Sequence, residues 1–136
     1  MKLDYKYNDG GRSQYYKTSM VRDCVTRAIA IASNKDYKEV YNLVKSYLNP
    51  KKSPNNGIPN KLVKKIMTDI GYQWVSKMSI GTGCTTHLSQ NEIPMDKIII
   101  CNVSRHVVAV INGVVNDTFD CTRDGNRCVY GYWIVK

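Results

Sequence analysis

Asn112-Gly113 stands between two apolar runs, and no other feature of the chain limits its fold so sharply. An Asn-Gly pair flanked this way is the strongest short-range signal for a two-residue type I′ hairpin. With the turn fixed there, Ile111 pairs with Val114, Val110 with Val115, Ala109 with Asn116 and Val108 with Asp117. His106 lies two residues before Val108, so it shares a face with Asp117 and sits diagonal to it. Diagonal neighbours are roughly 7–8 Å apart at the backbone, within reach of an imidazole and a carboxylate. A slip of one residue would put the two side chains on opposite faces. Asp120, a rival acid, faces away from His106 by the same count.

A thiol stands in matching local context earlier in the chain. Cys24 opens the helical run Cys24-Val25-Thr26-Arg27-Ala28-Ile29-Ala30-Ile31-Ala32, with Asp23 placed as its N-cap. A helix N-terminus favours a thiolate and offers amide donors to an oxyanion. Cys24, His106 and Asp117 thus supply a nucleophile, a base and an orienter. Each alone reads as something blander: a buried core thiol, a strand-end histidine, a hairpin-edge carboxylate. The shared register is what joins them.

The rest of the chain supplies a scaffold. Residues 1–22 are polar and tyrosine-rich, an extended or turn-rich arm. In the first helix, over 24–33, Val25, Ala28, Ile29 and Ala32 form a stripe, and Ala30 and Ile31 extend it nearly all round, the mark of a helix at a domain centre. A second helix is expected over about 37–48, with Asp36 and Glu39 as a capping-box variant. A Pro/Gly loop follows, then a third helix over about 60–70 that stops at Gly71. Strand signals dominate afterwards, at 72–76, 97–103, 106–111, 114–119 and 128–135, with 77–96 a long irregular connection. Helices followed by strands point to one α+β domain. Its arm is 1–22, its helical part 23–70, and its sheet part 72–136, an antiparallel sheet with the first helix packed on it.

At 136 residues the chain can build a core without staples. Its start, Met1-Lys2-Leu3-Asp4-Tyr5-Lys6, shows no apolar leader, and no run approaches a membrane span. The five cysteines are odd in number and lack a Cys-x-x-Cys pair, which argues for free thiols in a cytoplasm. Cys84 and His87 lie three apart, yet no second pair completes a zinc site. Cys121 and Cys128 flank a turn at Asp124-Gly125, and the compartment makes two packed thiols the expectation there. No metal or organic cofactor is expected.

Twenty Lys and Arg against eleven acids give a formal charge of +9. That favours anionic partners, nucleic acid or an acidic protein surface, or else simply keeps a lysine-rich chain soluble. Tyr5, Tyr7, Tyr15 and Tyr16, interleaved with Lys6, Arg12 and Lys17, could stack on bases; rings covering the core explain them as well. Arg27, one turn from Cys24, either supports a thiolate or pairs with Asp23 or the arm.

Cysteine on the first buried helix, histidine opening a strand and an acid on the next strand is an order that resembles papain-like cysteine peptidases. The outline is similar to bacteriocin-processing peptidases and transglutaminase-like proteins. The stretches 22–32 and 105–118 are also similar to small phage and prophage proteins. The resemblance covers those stretches and the order of elements between them. It implies a papain-like fold, and Cys24, His106 and Asp117 as a catalytic triad cleaving a peptide, isopeptide or related acyl bond. A protein or peptide substrate in a host cytoplasm, a host protein included, would follow. The family's oxyanion glutamine, about six residues before the cysteine, is replaced here by Thr18. Gln14 reaching in, Thr18 or Ser19 substituting, or backbone amides alone are the alternatives. A catalytically idle scaffold binding a host protein or nucleic acid through its basic surface is the rival reading.

Overall fold

The computed structural model describes residues 1–16 and 21–135. Three helices, α1 (Cys24–Ser33), α2 (Tyr37–Lys45) and α3 (Asn60–Asp69), accompany six strands. The strands are β1 (Asp4–Tyr7), β2 (Gln73–Ser76), β3 (Ile98–Val103), β4 (His106–Ile111), β5 (Val114–Asp117) and β6 (Val129–Ile134). They form one sheet in the order β1-β5-β4-β3-β6-β2. The architecture is mixed α+β.

The β4–β5 hairpin turns where the sequence places it. Asn112 (φ 49°) and Gly113 (φ 79°) both adopt the left-handed region that a type I′ turn requires. The ladder pairs Ile111 with Val114, Val110 with Val115 and Ala109 with Asn116. Val108 and Asp117 are not part of that ladder. Instead Asp117 pairs on its other side with Tyr7.

That pairing corrects the expected sheet. β1 lies parallel to β5, from Asp4 opposite Val114 to Tyr7 opposite Asp117, so the sheet is mixed rather than antiparallel. The arm's strand thereby belongs to the sheet. All four β1 side chains are exposed, so no apolar alternation marks the strand. Its anchor lies just outside: Leu3 is fully buried, and the Asn8 amide donates to the Asp117 carbonyl at 2.9 Å.

The sheet carries a core on each face. On one, Val25, Ala28 and Ile29 of α1 pack with Ile100, Val107, Ala109 and Trp133. Burying a Val or Ile side chain contributes about 1.5–3 kcal/mol, so α1 is held chiefly by this face. On the other, Val108, Val110 and Val115 pack against Leu3, Leu88 and Ile93. The 77–96 connection therefore supplies core side chains without forming a strand. Tyr15 and Tyr16 stack around Tyr37 of α2, as covering rings, while Tyr7 stays exposed.

The cysteines depart from the expectation of five free thiols. Cys84 and Cys128 form a disulfide, their Cα atoms 5.9 Å apart, within the usual range. Cys128 thus faces the 77–96 connection, through a bridge with His87, rather than Cys121. A pairing across 44 residues joins loop to strand and leaves no local spacing to read. Cys24, Cys101 and Cys121 are free. Among the described residues no helix is long and apolar enough to cross a membrane.

Candidate active site

His106 opens β4 and Asp117 ends β5, so the hairpin brings both to one end of the sheet. There the His106 Nε2 lies 2.6 Å from Asp117 Oδ2. The N-terminus of α1 reaches the same place, and Cys24 and His106 line one cleft of about 350 Å³. Since Nε2 is engaged by the carboxylate, Nδ1 is the ring nitrogen left for other partners. The Cys121 sulfur lies within 4.8 Å of a His106 ring nitrogen, and Cys24 shares the cleft with the ring. Phe119 leans over the ring, centroids 5.2 Å apart.

Burial works against a charged His106. The carboxylate of Asp117 and the two thiols outweigh it and push the pKa up to about 11. Burial likewise opposes a charged Asp117, yet the His106 and Arg27 hydrogen bonds hold its carboxyl below the usual range. The pair is thus an imidazolium beside a carboxylate at neutral pH.

A second tier of buried charge fixes that carboxylate. Arg27 Nη1 donates to Asp117 Oδ1 at 2.6 Å and to Thr118 Oγ1 at 3.3 Å. Its Nε donates to Asp23 Oδ1 at 2.9 Å. Arg12 Nη1 donates to the same oxygen at 3.0 Å, and the Tyr37 hydroxyl donates to Asp23 Oδ2 at 2.7 Å. Burial and the Asp23 carboxylate together raise the Tyr37 pKa strongly, so it stays a donor. The four-residue spacing of Asp23 and Arg27 makes that pair readable, because such residues share a helix face. Nothing local marks Arg12, which lies in the polar arm.

Asp23 takes the N-cap position, as expected, but this network draws its side chain away from capping. Asp23 makes no side-chain cap hydrogen bond, because both of its oxygens are taken by Arg12, Arg27 and Tyr37. The first amides of a helix have no partners within it. At α1 they are left without the Asp23 carboxylate, next to Cys24.

The other candidates sort plainly. Gln14 is exposed, on the short turn Arg12–Gln14, and does not line the cleft. Thr18 and Ser19 lie outside the described residues. Asp120 accepts from Lys2 and Thr122 and so is engaged away from the imidazole. Asn102, which sequence reasoning passes over inside an apolar strand, lines the cleft, and its buried Oδ1 has no partner among the described residues. Arg22 and Arg105 line it too, both exposed, and neither is in an ion pair among the described residues. Arg105 holds φ 56° in the two-residue turn before His106, a conformation unfavourable for a long side chain.

His106, Asp117 and Cys121 present donor atoms within 4.8 Å of one another, a grouping with metal-ligating chemistry. Both oxygens of Asp117 are already bonded at 2.6 Å, one by His106 and one by Arg27. A zinc site takes four ligands free to converge, and these three are committed to each other and to the guanidinium. No family model, curated protein or solved structure matches the chain.

Proposed function

We propose that the chain is a papain-like thiol hydrolase, phage- or prophage-encoded, that cleaves a peptide, isopeptide or related acyl bond. The observation that carries this reading is the 2.6 Å His106–Asp117 bond in the cleft that also holds Cys24. Cys24 attacks the acyl carbon as a thiolate paired with the His106 imidazolium, which gives its Nδ1 proton to the leaving amine. Asp117 holds the imidazole tautomer and stabilises its charge without taking the proton. The thioester then yields to water, with His106 as base, or to an amine if the protein is a transferase. The uncapped amides of α1 and the Asn102 carboxamide are the donors available to the oxyanion, in place of the glutamine. In this reading the compartment is a host cytoplasm, where Cys24 stays reduced.

The cleft wall also suggests the substrate's charge. Arg22 and Arg105 flank Cys24 and His106, and among the described residues no Asp or Glu lines the cleft. Acyl substrates bearing a carboxylate or other anion near the reacting bond fit it best.

A peptide-based, thiol-directed acyl probe tests the assignment. Labelling is expected at Cys24 in the wild type and lost in Cys24→Ala and His106→Ala. Equal labelling of wild type and Cys24→Ala discards it.

A further inference from the structure

We propose that Cys84, Cys128 and His87 form a thiol–disulfide exchange site whose partner is a low-molecular-weight disulfide or its thiol. The site is separate from the cleft chemistry and does not depend on it. Cys84 is exposed and Cys128 half-buried, so one sulfur of the pair meets solvent directly. His87 Nε2 lies 3.5 Å from Cys84 Sγ. On the far side of the ring, Nδ1 is 3.0 Å from Glu92 Oε1, which also accepts from the His87 amide at 3.1 Å. Two bonds from one residue to one carboxylate oxygen fix the ring and keep the proton on Nδ1. Nε2 is then the free base, aimed at sulfur. A purely structural disulfide has no use for an oriented imidazole at its exposed sulfur.

The arrangement gives each cysteine a part. In the closing direction Cys84 loses its proton to His87 Nε2 and attacks one sulfur of RSSR. The RS–SR bond breaks, a bond forms between Cys84 and SR, and the departing RS⁻ takes the proton from His87 and leaves as RSH. The Cys128 thiol then attacks Cys84 Sγ and expels the second RS⁻, which leaves as RSH with the Cys128 proton. Two electrons pass from the cysteine pair to RSSR, and dithiol plus RSSR gives disulfide plus two RSH. Opening by RSH is the reverse. Cys128, with Met78 Sδ 3.9 Å from its sulfur, is the resolving partner.

Exchange here would act on a loop next to the cleft. The segment 79–83 is exposed throughout, with Gly81 and Gly83 in left-handed conformations. The Lys77 and Met78 amides both donate to the carbonyl of Tyr130, a residue of the cleft wall. Opening the disulfide unclips this loop from the start of β6, two residues from Tyr130.

The test reduces the full chain, removes the reductant, adds oxidised glutathione, and follows each cysteine by quenched alkylation and peptide mass mapping. The Cys84–Cys128 link is expected to form first, and about tenfold more slowly in His87→Gln, less than the usual roughly 10²–10⁴ of general acid–base catalysis because a free thiol is already partly ionised near neutral pH. In Cys128→Ser, glutathione is expected to accumulate on Cys84. Equal closure rates in wild type and His87→Gln would overturn the proposal. So would glutathione settling elsewhere in Cys128→Ser, or a link that reduced glutathione opens only in denaturant.

Discussion

Arg27 grips Asp117 by the carboxylate oxygen that His106 leaves free, at 2.6 Å, and does so from a buried position. The carboxylate is therefore clamped from two sides, by an imidazole on one oxygen and a guanidinium on the other. Arg27 is in turn tied to Asp23, the residue that precedes Cys24. One side chain thus couples Asp117 to the head of α1.

Removing that clamp leaves two buried carboxylates each short of one charged partner. Arg27→Met is expected to destabilise the protein by about 3–5 kcal/mol, the usual cost of breaking a buried ion pair from one side. Urea unfolding measures it, and a loss under about 1 kcal/mol contradicts the network's role.

The His106–Asp117 pair also sets a pH window for stability. His106 is raised from 6.5 to about 11. Its contribution is complete below pH 6.5 and is lost as pH rises through about 11. Asp117 is lowered from 3.8, so its contribution is complete above that value and is lost as pH falls through the folded pKa. Denaturation midpoints measured from acid to alkaline pH should fall at both ends. His106→Gln should flatten the alkaline fall, and an unchanged alkaline arm in that variant refutes the assignment.

Asn102→Ala probes the oxyanion site directly. Loss of one preorganised donor costs about 10²–10³ in kcat, with little change in KM. Steady-state kinetics on any substrate that wild type turns over will show it. A drop of less than about threefold leaves the backbone amides as the only donors.

The unpaired arginines make substrate charge measurable. Replacing Arg22 and Arg105 by Ala should raise KM for acidic substrates about tenfold, a loss of about 1.4 kcal/mol, and leave neutral ones nearly unchanged. The wild-type preference should also weaken with salt, because exposed charges are screened. A preference that survives both treatments rules the arginines out.

How much of this was legible follows from where each signal lies. The hairpin register was readable because turn chemistry and apolar runs lie side by side, and three ladder pairs match it. The bounds of α1 were readable for the same reason. Four features hid because their causes lie far apart in the chain. β1 exposes every side chain, and only its partner strand reveals it. Asp23 looks like a cap until Arg12 and Tyr37 claim its oxygens. Asn102 reads as a flaw in an apolar strand until the cleft is seen beside it. The disulfide joins Cys84 to Cys128, whose neighbours in sequence pointed instead to Cys121.

The strand order has a kinetic corollary. β6 lies between β3 and β2, and β1 adds beside β5, so three of the sheet's joins link segments distant along the chain. Such closures pay loop entropy before contacts reward it, and topologies rich in them assemble slowly. The β4–β5 hairpin can zip early by itself, but Asp117 gains its Tyr7 neighbour only at a late step. A nascent chain would then hold the histidine strand ready well before the arm closed off the far side of Asp117.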